Sequence, residues 1–154
     1  MSKGKIFFVV GHKHWGKSKT LARLTNDKRP AWSVVNGERF FIRRMSNDDR
    51  PGKFFEFLKS LKANKKTHVI IALCPTFEDK AKRAKISAAL GKLKAEYLLF
   101  FFVLKHAFRN PRREIKAREF KKLERFGKAR MFPLARAEKE RRAKAFREFI
   151  NKNM

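Results

Sequence analysis

The sequence predicts an α/β fold in three layers, with a mostly parallel sheet between two layers of flanking helices. Three largely apolar runs have the length of buried strands and lie at positions 6–10, 67–74 and 98–104. Amphipathic stretches of about ten to twenty residues separate them, and this alternation is typical of parallel sheets covered on both faces. With 154 residues and 43% apolar content, the chain is expected to form one domain over 1–154.

Residues 31–45 are expected to form a β-hairpin. The runs AWSVV and ERFFIRRM are rich in strand-forming residues, and Asn36-Gly37 joins them. Asn-Gly between two such runs is the strongest short-range hairpin signal. A single kinked strand is the alternative. Because parallel α/β units do not need a hairpin here, we expect an antiparallel addition at the edge of the sheet.

The helices are predicted from apolar side chains at helical spacing and from turn residues at their ends. Phe54, Phe57 and Leu58 share one helical face, for example, and Asn110-Pro111 is a favourable helix start. The predicted helices cover 18–24, 53–64, 78–96, 110–126 and 135–151. Residues 129–134 are predicted to form a weak edge strand, because Pro133 interrupts them.

The first predicted strand leads directly into a glycine-bounded loop, GHKHWGKS at 11–18, and a helix follows at once. Its spacing is G-x-x-x-x-G-K-[ST]. Glycines let the backbone curl so that successive N–H groups point at phosphate oxygens, and the helix N-terminus adds a positive dipole. In that geometry the Lys17 ammonium would reach the β- and γ-phosphates, and the Ser18 hydroxyl would ligate Mg²⁺.

Through Gly11, Gly16, Lys17 and Ser18 the chain resembles the P-loop NTPase superfamily, in which this pattern is the Walker A motif. The resemblance implies a P-loop NTPase-like fold that binds ATP or GTP with Mg²⁺, with Ser18 as metal ligand and Lys17 as a catalytic group. A structural loop with Lys17 merely solvated is the alternative. The residues expected to contact the nucleotide are Gly11, His12, Lys13, His14, Trp15, Gly16, Lys17, Ser18 and Lys19.

The acidic partner that the superfamily usually carries at the tip of a second buried strand is missing. That strand ends in Cys74-Pro75, without Asp or Glu. Small P-loop kinases often have an acid near the end of the second strand, so the resemblance gives Asp48 and Asp49 a catalytic role towards substrate or Mg²⁺. Glu78 and Asp79 are further candidates. Helix capping is the alternative for both pairs.

Arg109, Arg112 and Arg113 follow the strand at 98–104, at the same end of the predicted sheet. In P-loop kinases an arginine-bearing lid occupies the comparable place and stabilises charge on the transferred phosphoryl group. The resemblance therefore allows a lid or nucleic-acid role for these three residues. An ordinary basic surface helix is the alternative.

The net charge of +27 is the second dominant feature of the sequence. So basic a chain repels itself unless it meets polyanions, which makes DNA or RNA the leading partner class and an acidic membrane surface the second. The segment 109–154 alone carries 17 Lys and Arg against 6 Glu. Basic helices of this kind fit non-specific contact with phosphate backbone, although solvated lysines on an ordinary surface are the alternative.

No signal peptide or membrane-spanning run is visible, and the single Cys74 suits a reducing compartment, so a cytoplasmic location is expected. The first functional hypothesis is a small NTPase that acts on or with nucleic acid. The alternatives are a nucleic-acid-binding protein whose loop senses nucleotide without turnover, and a kinase-like phosphotransferase. The protein could act as a homo-oligomer or within a nucleoprotein assembly, and the sequence is compatible with both.

Overall fold

A computed structural model describes residues 3–26, 28, 31–61, 68–75, 79–107, 113–133 and 139–154. In these ranges the chain forms six strands and five helices. In chain order they are β1 (Gly4–Val10), α1 (Lys17–Leu24), β2 (Trp32–Val35), β3 (Glu38–Arg43), α2 (Pro51–Ser60), β4 (His68–Leu73), α3 (Lys80–Lys94), β5 (Tyr97–Leu104), α4 (Ala117–Glu124), β6 (Lys128–Phe132) and α5 (Lys139–Asn153).

All six strands belong to one sheet in the order β2-β3-β4-β1-β5-β6. The pair β2–β3 is antiparallel and every other neighbouring pair is parallel. The prediction of an α/β fold with a mostly parallel sheet is therefore confirmed. β1 lies between β4 and β5, where Val10 is level with both Leu73 and Val103, so these three strands end at the same edge of the sheet.

The hairpin is confirmed, and it contributes to the sheet in two ways. Asn36 and Gly37 have φ values of 53° and 80°, the pair of positive angles that a tight hairpin turn requires. β2 is the antiparallel addition at the edge, as expected. β3, however, also pairs in parallel with β4, so it is an internal strand of the sheet rather than part of the addition.

Helices cover both faces of the sheet, as the three-layer prediction requires. On one face α5 packs through Phe149 against Phe7 and through Phe146 against Phe102. On the other face the Phe57 ring of α2 stacks on Phe41, at 5.4 Å between ring centroids. Apart from Lys5 and Leu98 near their starts, the central strands β1 and β5 are buried between these layers, which explains why their sequences are continuous apolar runs rather than alternating ones.

The predicted helix over 110–126 is wrong in its first part. The helix is α4 and begins only at Ala117. Among the preceding residues that the structure describes, Ile115 donates its N–H to Lys105 O at 2.8 Å and Arg113 O accepts from Ala107 N–H at 3.0 Å. This segment pairs in antiparallel fashion with the residues that follow β5 and buries Ile115, so tertiary pairing and burial override the local helix signal. Asn110-Pro111 lies outside the described residues.

The boundaries of other helices and strands differ from the predicted ones by a few residues. α2 begins at Pro51 rather than residue 53, and α3 begins at Lys80 with Asp79 as its N-cap. β6 spans Lys128–Phe132, so Pro133 follows the strand instead of interrupting it. No helix within the described part of the chain combines the length and apolar character needed to cross a bilayer.

Candidate functional site

The glycine-bounded loop lies at the carboxyl end of β1, between that strand and the N-terminus of α1. The chain leaving β1 leads towards β3 on one side, whereas the chain leaving its neighbour β5 leads to β6 on the other side. Connections that diverge in this way open a crevice at the carboxyl ends of the strands, which is where open α/β sheets bind ligands. The fold therefore places the predicted loop at the expected position for a binding site.

The loop is a compact turn that ends on a left-handed glycine. Gly11 N–H donates to Leu73 O of β4 at 3.1 Å, and Trp15 N–H donates back to His12 O at 3.1 Å. Gly16, the N-cap of α1, has φ 88° and ψ 21°. Only glycine adopts this conformation without strain, so Gly16 allows the chain to turn into the helix. His14 also has a positive φ, of 66°.

Lys17 is the first residue of α1 and its side chain is buried at 8% exposure. Its Nζ donates to Gly11 O and, at 3.0 Å, to His12 O. Burial lowers the pKa of Lys17 below its ordinary value, while the nearby Cys74, Asp48 and Asp49 oppose the shift. The loop thus encloses a cation that is partly stripped of water.

Trp15 and Arg142 support the loop from the inside of the protein. The Trp15 ring is 2% exposed and contacts His12 edge-on, at 4.9 Å between centroids. Arg142 of α5 donates from Nη1 to Trp15 O at 2.6 Å and from Nη2 to His106 O at 3.4 Å. Arg142 is 1% exposed, and this burial lowers its pKa. Trp15 is therefore a buried part of the loop.

Arg142 was not predicted as a site residue, yet the sequence contains a signal for it. Arg142, Phe146 and Phe149 lie at offsets of zero, four and seven along α5, the spacing of one buried helical stripe. A charged residue on such a stripe must point inward and needs a buried acceptor. The loop carbonyl of Trp15 supplies that acceptor.

Asp48 and Asp49 follow β3 and have different roles. Asp49 Oδ2 accepts from the Ser46 N–H at 3.1 Å, and Ser46 Oγ accepts from the Asp48 N–H at 3.2 Å. Asp49 therefore stabilises the turn that precedes α2. The Asp48 carboxylate, in contrast, accepts no hydrogen bond from the residues that the structure describes, although it lies in the electrostatic surroundings of Lys17.

Asn47, which sequence reasoning missed, fixes this turn beside the loop. Its Nδ2 donates to Cys74 O at 2.9 Å, and its Oδ1 accepts from Cys74 N–H at 2.8 Å, in both cases out of contact with solvent. Cys74 directly follows β4, at the strand tip where the superfamily carries an acid. Asn47 thus brings the acidic turn after β3 to the tip of β4, close to Lys17.

These elements surround a cleft of about 580 Å³, within the range of small-molecule sites. It contains most of the predicted loop residues, both aspartates and Arg113. Gly11 and His12 do not line it, whereas Arg44, Ser46 and Ala107, which were not predicted, do. Arg109 and Arg112 lie outside the described residues. The lining residues are Lys13, His14, Trp15, Gly16, Lys17, Ser18, Lys19, Arg44, Ser46, Asp48, Asp49, Ala107 and Arg113.

The charge of the cleft is strongly positive, with five Lys and Arg side chains against two Asp. Of the other acidic candidates, Asp79 caps α3 by accepting from Lys82 N–H at 3.0 Å, and Glu78 lies outside the described residues.

No protein-family model matches the chain, and no curated protein is a significant match to it.

Proposed function

We propose that the protein is a P-loop protein that binds ATP or GTP with Mg²⁺ and acts as a small NTPase on or with nucleic acid. One observation carries the proposal. The buried Lys17 amine follows the left-handed Gly16 at the start of α1, on the floor of a positively charged cleft. The N–H groups of a helix N-terminus, a desolvated cation and surrounding positive charge are together suited to a polyphosphate.

The burial of Lys17 gives the binding a physical driving force. Burial disfavours the charged amine and lowers its pKa. A phosphate beside the amine would place negative charge in direct contact with it, so the protonated amine should bind phosphate more tightly than a solvated lysine would. The contacts of Nζ with Gly11 O and His12 O keep the cation at the loop until the ligand arrives.

Mg²⁺ prefers oxygen ligands and usually needs only one or two from the protein. The Ser18 hydroxyl and the Asp48 carboxylate line the same cleft, so the donor set fits this ion. Mg²⁺ would supply charge neutralisation on the β- and γ-phosphates. Asp48 is the better of the two aspartates for this role, because Asp49 is engaged in the turn through Ser46.

A second candidate function, phosphoryl transfer to a small acceptor, is favoured by a neighbouring cavity. This cavity, of about 160 Å³, shares Asp48 with the cleft and is also lined by Asn47, Pro51, Phe55, Lys82, Lys85 and Ile86. An acceptor hydroxyl there would give its proton to Asp48 while its oxygen attacks the γ-phosphorus of the nucleotide. The bond between the γ-phosphorus and the oxygen that bridges it to the β-phosphate would break, and the nucleoside diphosphate would leave. Water in place of the acceptor gives the NTPase reaction.

Calorimetric titration with Mg-ATP and Mg-GTP tests the binding. Lys17→Ala should weaken the affinity by about 10- to 150-fold, the effect of losing a charge-assisted contact. Lys92→Ala is the matched control, because Lys92 is an exposed lysine of α3 away from the cleft. It should bind as the wild type does. Equal affinities for wild type and Lys17→Ala, with both proteins folded, would refute the proposal.

A measurement of ATP and GTP hydrolysis distinguishes the remaining hypotheses. The rate of phosphate release is compared among wild type, Lys17→Ala and Asp48→Asn, with and without DNA or RNA. The NTPase hypothesis predicts turnover in the wild type alone, increased by nucleic acid. Binding without turnover above the Lys17→Ala level under every condition would leave the nucleotide-sensing alternative. Nucleic-acid affinity itself should fall steeply as salt is raised, because binding releases counterions.

A further inference from the structure

The hairpin presents an exposed aromatic surface that the nucleotide proposal does not use. Trp32 and Val34, alternate residues of the edge strand β2, are 42% and 68% exposed on the same face of the sheet. Phe40 points to the opposite face of the hairpin and is fully buried. The two faces of the hairpin therefore differ: the face of Phe40 is part of the core, whereas the other is exposed at Trp32 and Val34.

Trp32 belongs to a continuous row of rings and guanidinium groups. The Arg39 guanidinium lies 4.3 Å from the centre of the Trp32 ring, and Trp32 contacts Phe41 edge-on at 5.1 Å. Phe41 stacks on Phe57 of α2, and the Arg43 guanidinium lies 5.2 Å from the Phe57 ring. We call these five residues the hairpin ladder.

The chemistry of the hairpin ladder matches single-stranded nucleic acid. Unpaired bases stack on exposed aromatic rings and on arginine planes, while arginines beside the rings neutralise phosphates. In a duplex the base faces are already stacked and cannot reach such a surface. The net charge of +27 supplies a long-range attraction for the phosphate backbone. An exposed apolar edge strand is otherwise an aggregation hazard, which a bound partner removes.

We propose that the hairpin ladder binds single-stranded DNA or RNA, with a base stacked on Trp32 and neighbouring phosphates paired with Arg39 and Arg43. This proposal deepens the nucleic-acid part of the proposed function by naming the surface and the form of nucleic acid. The ladder includes Arg43, and the next residue of the chain, Arg44, lines the cleft.

Tryptophan emission provides a direct test, because the chain has two tryptophans and Trp15 is buried at 2% exposure. Oligo(dT) and oligo(U) of about ten nucleotides, near the site size of such surfaces, should quench the emission of the wild type. Trp32→Ala should abolish the quenching and weaken binding about 5- to 150-fold, the effect of one lost stacking contact. Trp32→Phe should keep most of the affinity. The relative affinity for the two oligonucleotides distinguishes DNA from RNA.

Leu98→Ala is the matched control, since Leu98 is an exposed apolar residue of β5 (45%) outside the ladder. It should bind and quench as the wild type does. Wild-type affinity in Trp32→Ala would overturn the proposal, as would equal binding and quenching by a duplex. A wild-type dimer that dissociates in Trp32→Ala, with oligonucleotide binding unchanged, would overturn it in favour of a second copy on this face. Mg-ATP binding should persist in Trp32→Ala, so failure here is distinguishable from failure of the nucleotide proposal.

Discussion

Replacement of Asn47 by Ala tests how the acidic turn is held beside the loop. The substitution removes two buried hydrogen bonds, of 2.9 and 2.8 Å, and takes this partner away from both backbone groups of Cys74. Each bond contributes about 0.5–1.5 kcal/mol, and a stranded buried group costs about 1–3 kcal/mol, so we expect a loss of roughly 2–5 kcal/mol. That is a large part of the about 5–15 kcal/mol that stabilises a typical domain.

Urea unfolding measures this loss, and calorimetry with Mg-ATP measures its effect on the site. Affinity should fall together with stability, because the turn that carries Asp48 loses its anchor at the tip of β4. Asn151→Ala is the control, as Asn151 is an exposed residue of α5, and it should change stability by less than about 0.5 kcal/mol. A loss below about 1 kcal/mol in Asn47→Ala, with unchanged nucleotide affinity, would refute the anchoring role.

Four further substitutions test other parts of the structure. Arg142→Met removes the 2.6 Å bond to Trp15 O, and it should cost about 1.5–3 kcal/mol in urea unfolding and also weaken nucleotide binding in calorimetry. Burial lowers the pKa of His68, so the unfolded chain takes up a proton first as the pH drops below about 6.5. Wild-type stability should therefore fall through that window, and urea midpoints of His68→Gln should fall less; parallel pH profiles would contradict this. Gly127→Ala places a Cβ 2.0 Å from a backbone oxygen of β5 and should cost about 3 kcal/mol or more in thermal or urea unfolding. Gly91→Ala, with no atom within 4 Å of the new Cβ inside α3, should instead stabilise by about 0.5–1 kcal/mol.

The strands could be predicted because a buried strand requires apolar residues at consecutive positions, and such runs are visible in the sequence. Runs such as those of β1 and β5 are continuous in apolar residues, and Asn36-Gly37 encodes a turn that needs two positive φ angles. The segment before α4 could not be predicted in the same way. The Ile115 N–H donates to Lys105 O and Arg113 O accepts from the Ala107 N–H, and two such bonds between short segments leave no periodic pattern in the sequence.

In the candidate site, too, residues that are adjacent in the sequence could be predicted, whereas residues that folding brings together could not. Gly16 and Lys17 belong to a motif of eight consecutive residues, so their adjacency follows from the order of the chain alone. Asn47 and Arg142 reach their partners across 27 and 127 residues of chain. Polar residues are common in so charged a sequence, and only the folded contacts show which of them are buried. The inward stripe of α5 was the one local signal available for Arg142.

The most direct test of nucleotide binding is an amide NMR titration of the isotope-labelled protein with Mg²⁺ and a non-hydrolysable ATP or GTP analogue. A phosphate held by the loop predicts that the largest shift changes occur at the N–H groups of Gly16, Lys17 and Ser18, with smaller ones at Asp48. Shifts spread over the basic faces of α3 and α5, with the loop unaffected, would contradict the account.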